Sequence, residues 1–230
     1  HKAGSVYPKN LQSAVISHNA DIGIAFDGDG DRVIMVDHNG TLVDGDQLLY
    51  LIMQFYIKEG ITFGGVVGTH MTNLAFEEKC KMQSIPFVRA AVGDRYVSEE
   101  LDRRKWILGG ENSGHLLVKN LHSTGDGIIS ALQVLSFLVK NKISLKDALL
   151  DIKLYPQILI NIPTENKVNL KSKIIRDAIK ESEIIMKGMG RTLIRPSGTQ
   201  PLVRVMTEGP VKKDVMKAAK FLTRTIEELI

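Results

Sequence analysis

Short apolar segments alternate with longer amphipathic segments along the first 150 residues, and this alternation constrains the fold more than any other feature of the sequence. The runs DIGIAF, RVIMVD, GGVVG, PFVRA and WILGG are short and apolar enough to be strands. Between them lie segments with helical spacing, including one that Asp46 could cap and that extends to about Glu59, and one over residues 125–140. Such alternation is typical of an α/β core, so we predict mixed α/β domains.

The pattern changes after residue 150. YPQILINIP predicts a strand, and it is followed by a lysine-rich helix, the strands RTLIRPSGT and PLVRVMTEG, and a last helix. This β-α-β-β-α order predicts a smaller α+β C-terminal domain at residues 151–230. A weaker boundary, at the connector KEGITFGG, would divide the rest into residues 1–59 and 60–150.

The composition favours a cytoplasmic protein. Cys80 is the single cysteine of the 230 residues, which leaves no partner for an internal disulfide and fits a reducing compartment. No apolar run approaches the ~18 residues that a membrane span needs. The net charge of +4 is modest, and the basic residues are dispersed rather than clustered among aromatic ones. We therefore expect neither a membrane nor a nucleic acid as a partner.

Three aspartates occupy alternate positions in the segment AFDGDGDRV, between the first two predicted strands. In an extended loop alternate side chains project to the same side, so Asp27, Asp29 and Asp31 can converge while Gly28 and Gly30 let the backbone curl. Carboxylates so close together repel one another unless a cation lies among them. A polar turn between strands is the alternative, but the repeated pattern predicts a metal site.

The neighbouring residues indicate which metal this loop suits. DGDGDR begins like a calcium-binding EF-hand loop, which needs Gly at its sixth position and Glu at its twelfth. Those positions hold Arg32 and His38, and strands rather than helices flank the loop, so the EF-hand interpretation fails. A few carboxylates with room for water and phosphate oxygens suit Mg²⁺, and Arg32 beside them would hold a phosphate.

A second polar cluster lies in GGENSGH, residues 109–115. Its glycines make a tight loop from which Glu111, Asn112, Ser113 and His115 can project. Such a set of donors and acceptors suits the hydroxyl groups of a sugar, although a hydrogen-bonded turn explains the segment equally well.

A third cluster lies in RPSGTQPLVR, residues 195–204. Arg195 and Arg204 supply forked cations, Ser197 and Thr199 supply hydroxyls, and Gly198 exposes a backbone N–H. Together these groups could form a phosphate cradle. A turn between strands with incidental arginines is the alternative.

In this order, the three clusters resemble the α-D-phosphohexomutase family. The resemblance runs from about Gly4 to the last helix, and its most specific pieces are DIGIAFDGDGDRVIMVD, VDGDQ, VGDRYV, GGENSGH, TGDGI and RPSGTQPLVRVM. The family's proteins have four domains, three mixed α/β units and a smaller fourth. The resemblance implies that residues 1–59 end domain 2, that residues 60–150 form domain 3 and that residues 151–230 form domain 4. The N-terminal domains that carry the family's phosphoserine would then be missing from this chain.

The resemblance also implies a reaction. The phosphoserine gives its phosphate to a hexose phosphate, and the resulting bisphosphate turns round and returns its other phosphate. Mg²⁺ held by Asp27, Asp29 and Asp31 would neutralise charge during this transfer, and Arg32 would help to position the phosphate.

The other two clusters would hold the substrate. Glu111 and Ser113, with Asn112 between them, would bind sugar hydroxyls, while His115 would either assist proton transfer or orient its neighbours. The phosphate that stays in place would be held by Arg195, Ser197, Gly198, Thr199 and Arg204.

We therefore expect part of an isomerase that interconverts glucosamine 6-phosphate and glucosamine 1-phosphate for cell-wall precursors. The alternatives are the same reaction on glucose or mannose phosphates, a metal-dependent phosphatase, and a non-catalytic module that binds sugar phosphates. The chain alone is expected to be inactive because it offers no credible phosphoryl acceptor. A homodimer is compatible with the sequence.

The segment VISHNA shares Ser-His-Asn with the family's phosphoserine loop, but it lacks the Thr-Ala before and the Pro after. It also ends a predicted helix that starts near Pro8, with Asn19 as a left-handed stop. We therefore do not expect Ser17, beside His18, to be the nucleophile.

Two residues depart from the family's pattern. Gln200 stands where the phosphate loop usually has Glu, which removes a negative charge near the bound phosphate. Ala91 precedes VGDRYV where many relatives have Lys, so a cation near the substrate is lost or replaced. Both departures bear on substrate affinity more than on reaction class.

Overall fold

The predicted alternation of strands and helices is present in the computed structural model, which describes residues 4–5, 7–164, 169–197 and 200–230. The chain divides into two units, His1–Lys153 and Leu154–Ile230. This division lies close to the boundary predicted at residue 151. The boundary predicted between residues 59 and 60 lies inside the first unit, so the assignment of residues 1–59 and 60–150 to separate domains stays a prediction.

The first unit holds two sheets and the helices that pack on them. Its elements are α1 (Lys9–Ser17), β1 (Ile22–Phe26), β2 (Val33–Asp37), β3 (Leu42–Val43), α2 (Gly45–Lys58), β4 (Val66–Thr69), α3 (Leu74–Met82), β5 (Phe87–Ala90), α4 (Asp94–Arg104), β6 (Leu108–Gly110), β7 (Leu116–Val118), α5 (Gly127–Asn141) and α6 (Leu145–Ala148). The strands β1, β2 and β3 form an antiparallel sheet in that order. The other sheet has the order β5-β4-β6-β7, with β4 parallel to both β5 and β6 and with β7 antiparallel to β6.

This mixture of parallel and antiparallel strands with packed helices confirms the predicted α/β class. The elements β3, β7 and α6 are additions to the predicted set. They are two to four residues long, which is too short for a hydrophobic period to show in the sequence.

Helix α2 lies in the core of the first unit, where it contacts α3, α5, β2 and β6. Its apolar side chains are buried nearly all round: Leu48, Leu49, Tyr50, Leu51, Ile52, Met53, Phe55 and Tyr56. The sequence predicts an amphipathic helix here. Its polar side is narrow, since Gln47 and Gln54 are half-buried and Lys58 is exposed, while neighbouring elements cover the other faces.

Asp44, rather than Asp46, caps α2. The Asp44 carboxylate accepts a hydrogen bond from the backbone N–H of Gln47 at 3.1 Å, and the Gln47 side chain accepts one from the Asp44 N–H at 3.3 Å. The prediction that Asp46 caps the helix is wrong, because the residue three positions after Asp46 is Leu49, which cannot return such a bond. Asp46 is buried in the first turn, and its Oδ2 accepts a hydrogen bond from the N–H of Asn73, the residue before α3.

Helix α5 begins two residues later than predicted. Asp126 precedes it and accepts a hydrogen bond from the Ile129 N–H at 2.9 Å, so the glycine at 125 lies outside the helix. This small shift matters to the site described below, because it leaves residues 124–126 as a loop.

The second unit is the predicted β-α-β-β-α domain. It consists of β8 (Gln157–Pro163), α7 (Lys173–Ile185), β9 (Arg191–Pro196), β10 (Leu202–Glu208) and α8 (Lys212–Glu227). The sheet is antiparallel in the order β8-β10-β9, and the two helices pack on each other and on the sheet. Ile162, Ile175, Val203 and Leu222 form the centre of its core. Within the described part of the chain, no helix combines the length and the apolar character that crossing a membrane requires.

Candidate functional site

The acidic loop joins β1 to β2 and brings its three aspartates together, as predicted. Carboxylate oxygens of Asp27, Asp29 and Asp31 all lie within 4.8 Å of one another. Gly30 has a φ of 77°, a left-handed conformation that lets the chain turn between the last two aspartates. Oxygen atoms at these separations can share one cation.

The carboxyl groups of Asp27 and Asp31 respond to their proximity in opposite ways. Burial raises the pKa of Asp31, the hydrogen bond that it shares with Asp27 raises it further, and the charge of His115 opposes both. Burial also acts to raise the pKa of Asp27, but the Arg32 N–H, the Asp31 side chain and the Arg32 charge lower it on balance. Carboxylates this close together repel one another, and a bound cation would offset that repulsion.

Arg32 lies beside this cluster without being locked to it. Its backbone N–H donates to Asp27 Oδ1 at 3.1 Å, while its side-chain Nε lies 3.6 Å from Asp27 Oδ2 and 3.8 Å from Asp31 Oδ1. These side-chain separations are longer than hydrogen bonds, and 41% of the Arg32 side chain is exposed. The guanidinium can therefore still bind an anion that approaches the loop.

The carboxylate oxygens fit a hard divalent cation. Asp31 Oδ1 is buried and has no hydrogen-bond partner among the described residues. A buried carboxylate oxygen without a partner costs free energy, which a bound cation would recover. Three aspartates that leave room for water and phosphate oxygens are the kind of donor set that Mg²⁺ takes.

His115 connects the acidic loop to the second predicted cluster. The His115 side chain is 7% exposed, and Nδ1 lies 3.0 Å from Asp31 Oδ2, so an ionised Asp31 accepts a hydrogen bond from the Nδ1–H tautomer. The backbones of Arg32 and His115 also form an antiparallel bridge. A ring that is buried and bonded to an aspartate of the acidic loop favours the orienting role over the proton-transfer role.

The GGENSGH segment forms the connection between β6 and β7. Within it, the N–H of Glu111 donates to the carbonyl oxygen of His115, and the N–H of Gly114 donates to that of Glu111. Glu111 and Asn112 are half-buried, and Ser113 is exposed. The Glu111 side chain accepts a hydrogen bond through Oε1 from the Gly93 N–H at 2.9 Å, which fixes the carboxylate and leaves Oε2 for another donor.

Helix α2 and strand β2 approach this loop so closely that only glycine fits. A Cβ atom on Gly45 would lie 2.1 Å from the carbonyl oxygen of Glu111, and one on Gly114 would lie 2.1 Å from that of Val33. The N–H of Gly45 donates to the carbonyl oxygen of Asn112, and the N–H of Val33 donates to that of Gly114. The backbone of the GGENSGH loop is therefore held between the start of α2 and the start of β2.

Sequence reasoning assigned no site role to the glycines of three further motifs. Gly45 of VDGDQ and Gly93 of VGDRYV contact the GGENSGH loop, as described above. In TGDGI, the Gly127 N–H donates to the carbonyl oxygen of Gly30 at 2.9 Å, and Gly125 lies against the ring of His115. The Gly-Asp pairs of these motifs are visible in the sequence. Their spacing does not show which distant segments of the chain they contact.

The third cluster lies in the second unit. Arg195 on β9 is paired with Arg204 on β10 across the antiparallel sheet. Burial and then the charge of Arg204 lower the pKa of Arg195, and neither arginine's Nε has a hydrogen-bond partner among the described residues. Two neighbouring guanidinium groups whose Nε atoms lack partners favour a bound anion. The N–H of Ser197 donates to the carbonyl oxygen of Leu202, whereas the predicted ligands Gly198 and Thr199 lie outside the described residues.

Ser17 and His18 have the geometry of a helix end. The Ser17 hydroxyl lies 3.0 Å from His18 Nδ1, and it also donates to the carbonyl oxygen of Ala14 at 3.2 Å. Asn19 has a φ of 48°, the left-handed conformation that was predicted to stop the helix. These local contacts explain the Ser-His-Asn sequence without a catalytic role.

Comparison with known proteins gives two matches to one family. Residues 44–155 match the domain described as "Phosphoglucomutase/phosphomannomutase, alpha/beta/alpha domain III". Residues 159–224 match the C-terminal domain of the same family.

Two curated relatives that match most of this chain carry the same name. The chain is 50% identical over 226 residues to the phosphoglucosamine mutase of Methylobacillus flagellatus, which covers 98% of this chain and 50% of that protein. It is 51% identical over 207 residues to the phosphoglucosamine mutase of Neisseria meningitidis serogroup A, which covers 90% of this chain and 46% of that protein. The chain thus spans about half the length of the curated relatives that it matches.

Solved structures share the fold at lower identity. The N-acetylphosphoglucosamine mutase of Aspergillus fumigatus, in complex with GlcNAc-6P and magnesium, matches 100% of this chain and 53% of its own with a TM-score of 0.80 and 20% identity. A phosphoglucomutase/phosphomannomutase family protein of Burkholderia thailandensis matches 98% of this chain and 51% of its own with a TM-score of 0.77 and 18% identity.

Proposed function

This chain belongs to the α-D-phosphohexomutase family (the phosphoglucomutase/phosphomannomutase family), and on that premise we propose that it is the C-terminal part of a phosphoglucosamine mutase. The proposed enzyme interconverts glucosamine 6-phosphate and glucosamine 1-phosphate. The observation that carries the proposal is the hydrogen bond between Asp31 and His115, because it joins a cation-binding loop to a sugar-binding loop. Relatives that are about half identical and carry this name support the choice of sugar.

We propose Mg²⁺ as the cofactor, held by Asp27, Asp29 and Asp31. The close carboxylates and the unpartnered Oδ1 of Asp31 support this assignment. When bound, the ion would neutralise the negative charge of a phosphate group during its transfer.

The chain's own side chains around this loop would bind and orient the substrate. Arg32, whose side-chain Nε lies 3.6 Å from Asp27 Oδ2 and 3.8 Å from Asp31 Oδ1, would hold the transferring phosphate. His115 would keep Asp31 in place, since its ring is fixed between that aspartate and Gly125. Glu111, anchored by the Gly93 N–H, would accept a hydrogen bond from a sugar hydroxyl through its other oxygen, with Asn112 and Ser113 beside it.

The second unit would hold the phosphate that does not react. Arg195 and Arg204 lie next to each other on paired strands, so two guanidinium groups can bind one phosphate. Ser197 follows Arg195 closely, and Gly198 and Thr199 complete the proposed set by sequence. Burial and then the charge of Arg204 lower the pKa of Arg195, and a bound phosphate would stabilise its charged form against both.

We propose that the phosphoserine lies in N-terminal domains outside these 230 residues. Such domains would account for the half of the relatives' length that this chain does not cover. For the 230 residues themselves, the proposal is substrate binding without turnover. The hydroxyl of Ser17 supports this view, because it is engaged at the end of α1.

Replacing Arg195 with alanine tests the proposed phosphate site. Losing a hydrogen bond to a charged partner costs roughly 1.5–3 kcal/mol, so we expect the Kd for glucosamine 6-phosphate to rise about 10- to 150-fold. The Kd for unphosphorylated glucosamine should not change. Both constants can be measured by NMR titration of the chain.

Two further variants act as controls for this experiment. Arg195→Lys keeps the charge but loses the planar fork, so its effect should be intermediate. Arg224→Ala removes an exposed arginine from α8 and should leave binding as it is. If Arg195→Ala still distinguishes phosphorylated from unphosphorylated ligand as well as the wild type does, the RPSGTQPLVR segment is only a turn.

A further inference from the structure

Asp46, in the first turn of α2, is only 2% exposed. Capping does not explain its presence, because Asp44 caps this helix. Attraction to the helix dipole does not explain its burial either, since an exposed aspartate in the first turn would be attracted in the same way. Burying a carboxyl group costs free energy unless its oxygens are hydrogen-bonded. We therefore attribute the burial of Asp46 to the contact that its side chain makes.

That contact joins the starts of two helices. Asp46 Oδ2 accepts a hydrogen bond from the backbone N–H of Asn73 at 2.8 Å. Asn73 in turn caps α3, because its Oδ1 accepts a hydrogen bond from the N–H of Ala75 at 3.1 Å. The bond between Asp46 and Asn73 therefore fixes the start of α2 relative to the start of α3.

The turn between β4 and α3 is braced by several contacts. The Thr72 N–H donates to the carbonyl oxygen of Thr69 at 3.1 Å and closes the turn. Arg89 on β5 donates through Nη1 to the carbonyl oxygens of Thr69 and Thr72, at 2.9 and 2.6 Å. The same guanidinium forms an ion pair with Glu77 on α3, with Nη2 2.6 Å from Oε2. Contacts from β5 and α3 thus hold the segment to which Asp46 is bonded.

The residue before Asp46 lies against the GGENSGH loop. The Gly45 N–H donates to the carbonyl oxygen of Asn112 at 3.1 Å. A Cβ atom on Gly45 would lie 2.1 Å from the carbonyl oxygen of Glu111, so no gap separates the two backbones. A displacement of the start of α2 would therefore displace the backbone of Glu111, whose carboxylate accepts a hydrogen bond from the Gly93 N–H.

We propose that Asp46 is a positioning residue for the proposed sugar-binding loop. By tying the start of α2 to the start of α3, it holds Gly45 against the loop and keeps the Glu111 carboxylate in the direction that a sugar hydroxyl requires. This inference rests on the proposed function, and it assigns Asp46 no contact with the substrate. A binding group is effective only when the residues around it fix its orientation.

Asp46→Ala tests this inference. It leaves the Asn73 N–H without this acceptor, so the start of α2 should move relative to the loop. We expect the Kd for glucosamine 6-phosphate, measured by NMR titration of the folded chain, to rise about 3- to 10-fold, the effect of weakening one hydrogen bond. The Gly45 and Gly93 amides should exchange with solvent faster, because their acceptors lie in the displaced loop. The Kd for Mg²⁺ should not change, since Asp46 is not a member of the acidic cluster.

Three further variants complete the experiment. Asp46→Asn keeps an oxygen acceptor for the Asn73 N–H, so its Kd should lie closer to that of the wild type. Leu138→Ala removes a buried side chain that lines a cavity with His38, beyond the end of β2, whereas the loop contacts the start of β2. This variant should lower the unfolding temperature without changing the Kd. Arg89→Lys loses the planar fork that braces the turn. It should shift the Kd and both amides in the same direction as Asp46→Ala, and it replaces that variant should Asp46→Ala not fold.

The outcomes separate this inference from the function on which it rests. If Asp46→Ala is less stable but binds the sugar phosphate as the wild type does, Asp46 has a structural role only and the inference is wrong. It is also wrong if Leu138→Ala weakens binding as much as Asp46→Ala, since general destabilisation would then explain the effect. If the wild type does not bind glucosamine 6-phosphate, the proposed function fails, and the exchange of the Gly45 and Gly93 amides still decides whether Asp46 holds the loop.

Discussion

Replacing Gly45 with alanine is expected to destabilise the first unit and to displace the GGENSGH loop. Helix propensity alone favours alanine over glycine by roughly 1 kcal/mol, so the expected sign is opposite to the local rule. The added Cβ would lie 2.1 Å from the Glu111 carbonyl oxygen and 2.6 Å from the Gly114 nitrogen, and backbone atoms cannot rotate away. Overpacking of this kind typically costs about 1–3 kcal/mol. The free energy of unfolding should fall, and the Kd for glucosamine 6-phosphate should rise.

Gly28→Ala is the matched control for Gly45→Ala. A Cβ atom at position 28 would meet nothing within 4 Å, so the stability should stay the same or rise slightly. Chemical denaturation of both variants gives the comparison. If Gly45→Ala proves as stable as the wild type, α2 does not pack against the GGENSGH loop as closely as described.

Asp29→Asn is expected to weaken Mg²⁺ binding by about 10- to 150-fold, the effect of losing one contact to a charged group. Asp29 is exposed, so its replacement should not disturb the fold. Asp27 and Asp31 are less suitable, because both make hydrogen bonds that hold the loop in place. Isothermal titration calorimetry of the chain with Mg²⁺ measures the Kd for the ion, and it does not require a catalytically active protein.

Asp21→Asn provides the control for the metal experiment. Asp21 is also exposed and lies just before β1, and it is not a member of the acidic cluster. This variant should bind Mg²⁺ like the wild type. Equal affinities for all three proteins would show that the acidic loop is a polar turn, which was the alternative considered from the sequence.

The general architecture could be predicted because its signals are local. Apolar runs, helical spacing and the Asp-Gly repeat each lie within a short window, and they correctly placed β1, β2 and the acidic loop between them. The start of α2 was mistaken for a local reason as well. Asp46 looks like a cap, but Gln47 completes a reciprocal pair only with Asp44.

The connections within the site could not be predicted, since they join residues far apart in the chain. Asp31 and His115 are 84 positions apart, and nothing in either segment indicates that the other lies beside it. The role of Gly45 depends on a loop more than sixty residues later, so its importance appears only when α2 is packed.

The most direct test of the proposed function is ³¹P NMR of a protein that joins this chain to the proposed phosphoserine-bearing N-terminal domains, incubated with Mg²⁺ and glucosamine 6-phosphate. We expect the resonance of glucosamine 1-phosphate to appear, and we expect the corresponding glucose and mannose phosphates to react more slowly. Asp29→Asn should interconvert the sugar phosphates far more slowly at limiting Mg²⁺. If folded protein that binds Mg²⁺ leaves glucosamine 6-phosphate unchanged, the proposed mutase function is wrong; if Asp29→Asn turns over at the wild-type rate, the proposed metal site is wrong.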